Sequence, residues 1–424
     1  MPATLIPAWG QPQGEHSRMF SRRIARTFVA GLALVSSAAP AVAPIASAQE
    51  VPATVIIGIN LPFTGADAAD AVNIRDGAMM AIDEINTAGG IAGKIMIQPL
   101  LKDDGTVAAG QYDPAQAATN TKQFVADPNV MAIVGPQMSG SGKAMAPIAS
   151  DAGLMLITPS STNPDITDPK FTSQYRPNGK AIYFRTVTTD AFQGPYMANY
   201  AVEALGLRSI YILDDTGAYG EGIANAFEAQ AKTKGLNVLG HDKLNPKESD
   251  YTTVLTKIKA MNPDGLYYGG VQQAAVKLAK QAADVMPNVP KLGGDGVYSV
   301  SFPQEAGRAA ENWYATIAAP DTIDQPEAQD WVSRYQAKFG ASPQNYALTA
   351  YDAVLVLDDT IRRLVNDGMP ISRENVRDYA QMTALPTLQG TISFDDNGDL
   401  KDKIISVFQV KDSNYKYVGA APQT

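Results

Sequence analysis

Apolar and polar positions along this chain follow two alternating periods. Short apolar runs rich in Val, Ile and Leu, at 55–60, 95–101, 130–134 and 154–157, have the length and β-branching of buried strands. Between them apolar residues recur at helical spacing: Ile74, Ala78, Ala81, Ile82 and Ile85, then 115–125, then 139–151. Residues 163–182 break the rhythm with Pro164, Asp165, Asp168, Pro169, Pro177 and Gly179, and read as a long surface loop. A short strand at 182–185 leads to a second run of the same grammar. Its strands fall at 209–213, 236–240, 265–268 and 291–293, and its helices at 196–205 (starting behind Pro195), 222–234, 251–261 and 272–285. A strand at 313–318, helices at 328–339, 346–364 and 373–382, and a strand–turn–strand at 391–394 and 404–410 complete the chain. The expected fold is α/β, with two lobes, each built on a parallel, doubly wound sheet.

Strands 130–134 and 154–157 both end in clusters of small residues, Ser139-Gly140-Ser141-Gly142 and Thr158-Pro159-Ser160-Ser161-Thr162. In a parallel sheet both clusters fall at the carboxyl edge, where ligands bind. Ser139 opens a helix, whose free N–H groups and positive dipole end suit a carboxylate or phosphate. Either cluster alone is ordinary N-cap and turn chemistry; two at successive strand ends favour a site.

Composition narrows the choice. The chain has 424 residues, 45% hydrophobic and 18% charged, enough for two cores and too few charges for a disordered tail. Arg18, Arg22, Arg23 and Arg26 precede an uncharged run from Thr27 to Gln49 that ends Ala46-Ser47-Ala48. This is the pattern of a secretory leader over residues 1–48, cut after Ala48, with Met19 an alternative start and only a faint twin-arginine signal at Ser21-Arg22-Arg23. With the four arginines and Glu15 of that segment removed, 30 basic and 42 acidic side chains remain, a net charge of −12. Such a chain carries no footprint for nucleic acid or an anionic membrane. There is no cysteine, which excludes disulfides and thiolate chemistry, and beyond the leader the one histidine is His241, read as a strand-end surface residue. The acidic turn Asp395–Asp399 lacks the spacing of a calcium loop and reads as a hairpin turn. No metal and no cofactor is implied.

At several points the chain resembles the periplasmic solute-binding proteins of branched-chain amino acid ABC transporters. The resemblance spans most of residues 53–419 and rests on INLPFTG (59–65), GAMMAIDEINTAGGIAG (77–93), Lys102-Asp103-Asp104, LMLITPSST (154–162), FRTVTTDAFQGP (184–195), DDTGAYGEG (214–222), DGLYYGG (264–270), GGDGV (293–297) and GTISFDDNGDL (390–400). It implies the type I periplasmic binding protein fold: two Rossmann-like lobes joined by three crossovers, an N-lobe of 51–189 plus 320–392 and a C-lobe of 190–319 plus 393–424. It further implies a monomeric, non-enzymatic periplasmic receptor that delivers a free amino acid to an inner-membrane permease. By the same resemblance Ser139 and Thr162 hold the ligand carboxylate, the backbone at Ser160 helps hold the ammonium, Tyr219 closes from the other lobe, and Asp295 pairs with the ammonium.

The chain departs from the family pattern where Val271 follows Tyr-Tyr-Gly-Gly in place of an aromatic residue, with Gln272 and Gln273 behind it, and where the acid is Asp rather than Glu. These departures alter the side-chain pocket and weaken the case for leucine, isoleucine or valine more than the case for an amino acid. On chemical grounds a zwitterion needs an anion site and a cation site a few ångströms apart, and hydroxyls, helix-end N–H groups and a buried carboxylate supply both. Asp295 between glycines is also a natural turn residue, and Tyr219 a natural packing residue at a helix start. Phe63, Tyr298 and Phe302 fit either the pocket wall or the core, with core the favoured reading. Two further readings stand: the same fold holding a short amide, urea or an aromatic acid, and a secreted α/β hydrolase. The latter lacks a Gly-x-Ser-x-Gly elbow and has only His241 as a base.

Overall fold

A computed structural model describes residues 52–423; the leader proposed for 1–48 lies outside the described residues. Five parallel strands form the first sheet, in the order Met96–Asp103, Thr54–Leu61, Val130–Val134, Met155–Thr158 and Tyr183–Arg185. The second sheet repeats that order with Asn237–Lys243, Ser209–Asp214, Gly265–Gly269, Lys291–Gly293 and Trp313–Ile317. Two antiparallel strands, Ser406–Lys411 and Asn414–Ala420, extend its far edge. In both sheets the first strand in sequence lies between the second and the third. The order reverses at that point, and the loops leaving the first and third strands diverge to open a crevice.

Burial on both faces explains the near-continuous apolar runs of the central strands. Val130–Val134, Met155–Thr158 and Gly265–Gly269 are buried along almost their full length. The helix Ala68–Thr87 and the helix Asn345–Asn366, nearly three hundred residues later, cover one face of the first sheet together. They cross at Gly77, where a Cβ would stand 1.9 Å from the Ala347 carbonyl oxygen, so no larger residue fits. The chain crosses between the lobes after Arg185 and again after Ile317, and these two crossings are bonded together, Thr188 N donating to Ala318 O at 2.9 Å.

The structure corrects the sequence reading in several places. Strands near 391–394 and 404–410 exist but are not mates: Gly390–Ser393 pairs with Ala384–Thr387, and Ser406–Lys411 pairs with Trp313–Ile317 and Asn414–Ala420. Ala384–Thr387, four residues with Pro386 inside, and the largely exposed, mixed strand Asn414–Ala420 carry too little continuous apolar signal to stand out. Phe394 and Leu400 pack into the first core and Ile405 into the second, so the last crossing falls between Leu400 and Ile405, later than the expected 392–393 boundary. The helix expected behind Pro195 begins at Asp190 and carries Pro195 inside it. The 163–182 loop contains short helical turns, and Ile166 and Tyr175 are buried on the first core. His241 is not at a strand end: it lies within an edge strand, one ring nitrogen 2.9 Å from Asp214 and the other 2.8 Å from Glu228.

Candidate functional site

The crevice holds a cavity of about 580 Å³, solvent at its mouth included. Equivalent loops of the two sheets build it. Asp67 and Asp70 follow the first strand of the first sheet, Gln137 to Ser139 the third, and Ser160 the fourth. Tyr219, the pair Val271 and Gln272, and Asp295 occupy the matching positions on the second sheet. Tyr298 and Tyr346 also line the cavity.

Four of the five expected residues meet here. Ser139 is the first residue of the helix Ser139–Asp151, and no side chain caps that helix, so its first N–H groups face the crevice end of the helix without a side-chain partner. The Ser139 hydroxyl accepts from Asn163 N at 3.1 Å and from Ser161 Oγ at 3.3 Å. Both bonds use its lone pairs, which leaves its own proton to donate to an anion. Ser141 of the same helix is fixed by a 2.5 Å bond to Asp104, which accounts for the acidic end of the Lys102-Asp103-Asp104 strand. Ser160 lines the cavity with its hydroxyl turned back to the Gln137 carbonyl at 3.2 Å.

The facing side of the cavity is built on Asp295. Gln193 Nε2 donates to its Oδ1 at 3.0 Å, the Tyr346 hydroxyl donates to its Oδ2 at 2.6 Å, and the Tyr219 hydroxyl lies close enough to favour the same carboxylate's ionised form. Tyr219 in turn accepts from Gly296 N at 2.9 Å. The glycines beside Asp295 are required by this contact: a Cβ on Gly294 would come within 2.3 Å of the Tyr219 hydroxyl, and one on Gly296 within 2.7 Å of its ring. Burial pushes Asp295 above the ordinary carboxylate range, and three neutral donors only partly offset it.

Thr162 is the exception. It does not line the cavity; it is buried behind it, its carbonyl accepting from Asp190 N at 2.9 Å and its hydroxyl without a partner. Tyr298, expected in the core, does both: it packs on Phe408 and Tyr415 and also lines the cavity. Phe302 is core as expected, and Phe63 packs at the edge of the first core. Gln273 turns away to the Ala109 carbonyl of the other lobe at 3.1 Å.

Sequence reasoning missed several residues. Asp190 shares the Gln193 amide with Asp295, leaves its Oδ2 without a donor, and is pushed up to about 8 by burial and by the Asp295 charge. Asp67 and Asp70, on the cavity wall, are pushed up to about 7 and about 6 by burial. The signal for Asp67 and Asp70 was present as two acids in the loop and helix start after the first strand; nothing local marks Asp190, Gln193 or Tyr346. Among the described residues that line the cavity there is no Lys, Arg or His. The arrangement therefore has donors at one helix end, a surplus of buried acceptors elsewhere, and no nucleophile–base pair.

Residues 54–414 match the family model described as periplasmic binding protein. A Leu/Ile/Val-binding protein homolog of Brucella melitensis is 28% identical over 400 residues, covering 92% of this chain and 99% of that one. A leucine-, isoleucine-, valine-, threonine- and alanine-binding protein of Pseudomonas aeruginosa is 30% identical, over 88% of this chain and 94% of that one. Two solved structures share the fold. The branched-chain amino acid transporter substrate binding protein LivJ of Streptococcus pneumoniae, in complex with isoleucine, superposes with a TM-score of 0.74 at 27% identity, covering 86% of this chain and 99% of that one. The leucine binding protein LivK of Thermotoga maritima does so with a TM-score of 0.76 at 25% identity, over 87% and 98%. Two doubly wound sheets meeting at a polar crevice, with a family match that runs almost from the first strand to the last, establish that the chain belongs to the periplasmic binding proteins.

Proposed function

We propose that the protein is the periplasmic substrate-binding component of an ABC importer and that its cavity closes on a free α-amino acid. One observation carries the reading: an uncapped helix N-terminus at Ser139 and a buried acid, Asp295, border the same crevice from opposite lobes, with Asp190 behind Asp295 on the shared Gln193 amide. The ligand carboxylate takes the Ser139 hydroxyl proton and the helix-end N–H groups. Its ammonium takes the acid pair, which no protein cation neutralises at the cavity wall. Thr162 acts from behind, through Asp190, rather than on the carboxylate directly. The protein works as a receptor and not as an enzyme, and it hands its ligand to an inner-membrane permease as a monomer. Residues 1–48 serve as the export leader. Among the described residues no helix is long and apolar enough to cross a membrane.

Several bonds between the lobes favour a closed state. Asn163 Nδ2 donates to the Ala218 carbonyl at 2.6 Å, Val300 N to Asp70 at 2.9 Å, and Tyr346 to Asp295. Each joins a first-lobe loop or helix to the second lobe, so closure and ligand capture use the same residues. The test is mass spectrometry of the small molecule released when the natively purified protein is denatured, followed by titration of the ligand-free protein with free amino acids and their methyl esters. Free amino acids are expected to bind and esters to bind at least about tenfold more weakly, from loss of a charge-assisted bond. Equal binding of esters removes the carboxylate assignment.

A further inference from the structure

Once the α-carboxylate and α-ammonium are assigned to Ser139 and to Asp295 with Asp190, the rest of the cavity wall is left to recognise the ligand's side chain. That wall includes Asp67, Asp70, Gln137 and Gln272, with Ile74, Met138 and Val271 as its aliphatic members and Tyr298 beside them. Asp67 is 1% exposed and accepts one bond there, from Tyr112 N at 3.1 Å. Asp70 Oδ1 accepts from Val300 N at 2.9 Å. An ionised carboxylate offers about four acceptor positions, so both acids hold far more acceptor capacity than the protein fills.

The two amides add unpartnered carbonyl oxygens, and Gln137 brings its own N–H donors as well. Gln137 and Gln272 are 8% and 4% exposed, and in each the side-chain carbonyl has no donor. Gln272 Nε2 is spent on Ser301 Oγ at 3.0 Å, so what remains of that side chain is an acceptor. Helix chemistry does not account for the acids. Asp67 stands at the cap position of the helix Ala68–Thr87 yet makes no cap hydrogen bond, and Asp70 reaches out of that helix to the other lobe. A hydrocarbon side chain would dehydrate both carboxylates and return nothing to them.

We infer that this wall is a cation subsite formed by Asp67, Asp70, Gln137 and Gln272, and that the ligand is an α-amino acid with a cationic side chain rather than a branched aliphatic one. The inference rests on the amino-acid reading above and narrows it. It also explains why the aromatic residue of the family pattern is absent at Val271. Asp67 and Asp70, raised by burial in the empty cavity, regain an ordinary ionised state when a cation enters.

The test is calorimetric titration of the ligand-free, leaderless protein with lysine, ornithine and arginine against norleucine, leucine and glutamine. Lysine and norleucine differ at the end of an otherwise similar chain. Lysine, ornithine or arginine is expected to bind on the order of 100-fold more tightly than norleucine. Asp67→Asn keeps its backbone bond through its amide oxygen and is expected to shrink that ratio at least about tenfold, and Asp70→Asn, which also touches the inter-lobe bond to Val300, is expected to weaken the cationic ligands at least about tenfold more than norleucine. The wild-type series decides the matter even where a variant fails to fold. Leucine or norleucine binding as tightly as every cationic ligand overturns the cation subsite and leaves the amino-acid reading standing. Absence of binding by any α-amino acid overturns both. A loss of affinity that is uniform across all ligands in Asp70→Asn makes Asp70 a closure latch and removes it from the subsite.

Discussion

At the scale of single residues the site is a problem of unpaired charge. Asp295 and Asp190 lie side by side, bridged by one Gln193 amide, with no cation on the cavity wall. A ligand ammonium is worth most where it replaces a missing counter-ion, so Asp295→Asn is expected to weaken a zwitterion by about 2–5 kcal/mol. The measurement is affinity for an α-amino acid beside affinity for the matching uncharged amide. If the zwitterion binds the variant as it binds the native protein, the ammonium site lies elsewhere. Asp295 was legible because glycines flank it in a recognisable order, and the structure gives the reason for those glycines in the ring and hydroxyl of Tyr219. Asp190 was not legible: it acts only because a crossing strand delivers it beside a residue one hundred and five positions later. Thr162 was legible as a hydroxyl at a strand end, but a strand end does not say whether a side chain faces the crevice or the layer behind it.

At the scale of elements, the strand-end loops that carry the ligand are held by side chains from elsewhere in the sequence. Arg185 is fully buried and forks between Asp399 Oδ1 at 2.7 Å, the Ser161 carbonyl, and the Asn163 carbonyl at 2.8 Å. Thr167 also donates to Asp399, at 2.9 Å. The acidic turn Asp395–Asp399 is thus an anchor for the loop that contains Ser160 and Thr162, and Asp395 closes it by accepting from Asn397 N and Asp399 N. Asp399→Asn leaves a buried guanidinium without its anion and is expected to cost about 3 kcal/mol of stability in urea unfolding, with weaker ligand binding as the loop loosens. Unchanged stability would show that Arg185 is satisfied by the two carbonyls alone. Strand and helix succession was readable because strands buried on both faces are continuous apolar runs. Pairing of the late strands was not, because Ala384–Thr387 is only four residues long with Pro386 inside it, Asn414–Ala420 is largely exposed and mixed, and nothing in their sequence says which neighbour they join.

At the scale of the whole molecule, closure and protonation are linked. With the lobes bonded together as they are here, burial raises Asp67, Asp70 and Asp190 to about 7, about 6 and about 8. A carboxyl group raised in the closed state binds a proton more tightly there than in an open, wet cleft. The closed, ligand-free form is therefore favoured most below the ordinary carboxylate value of 3.8, and it loses that advantage as pH rises from there through the raised values of about 6 to about 8. Small-angle scattering is expected to show a smaller radius of gyration at pH 5 than at pH 8 without ligand, and no such difference with saturating ligand. Identical radii would mean that the acids stay hydrated in both states. Tyr219→Ala is expected to raise the ligand off-rate with little change in on-rate, because the contact it loses forms after capture. The two-lobed fold was legible from its repeated grammar; the position of the last crossing was not, since it depends on which core receives Phe394 and Leu400. That interleaving bears on how the chain acquires its structure. The first core waits for Ala350 to Leu400, and the second sheet waits for Ser406–Lys411 and Asn414–Ala420. Neither lobe can finish while the chain is still being made, so a fragment ending near residue 320 is expected to stay protease-sensitive although it contains every strand of the first sheet. Synthesis must end before folding does, so the newborn polypeptide keeps a loose form until its last segments arrive.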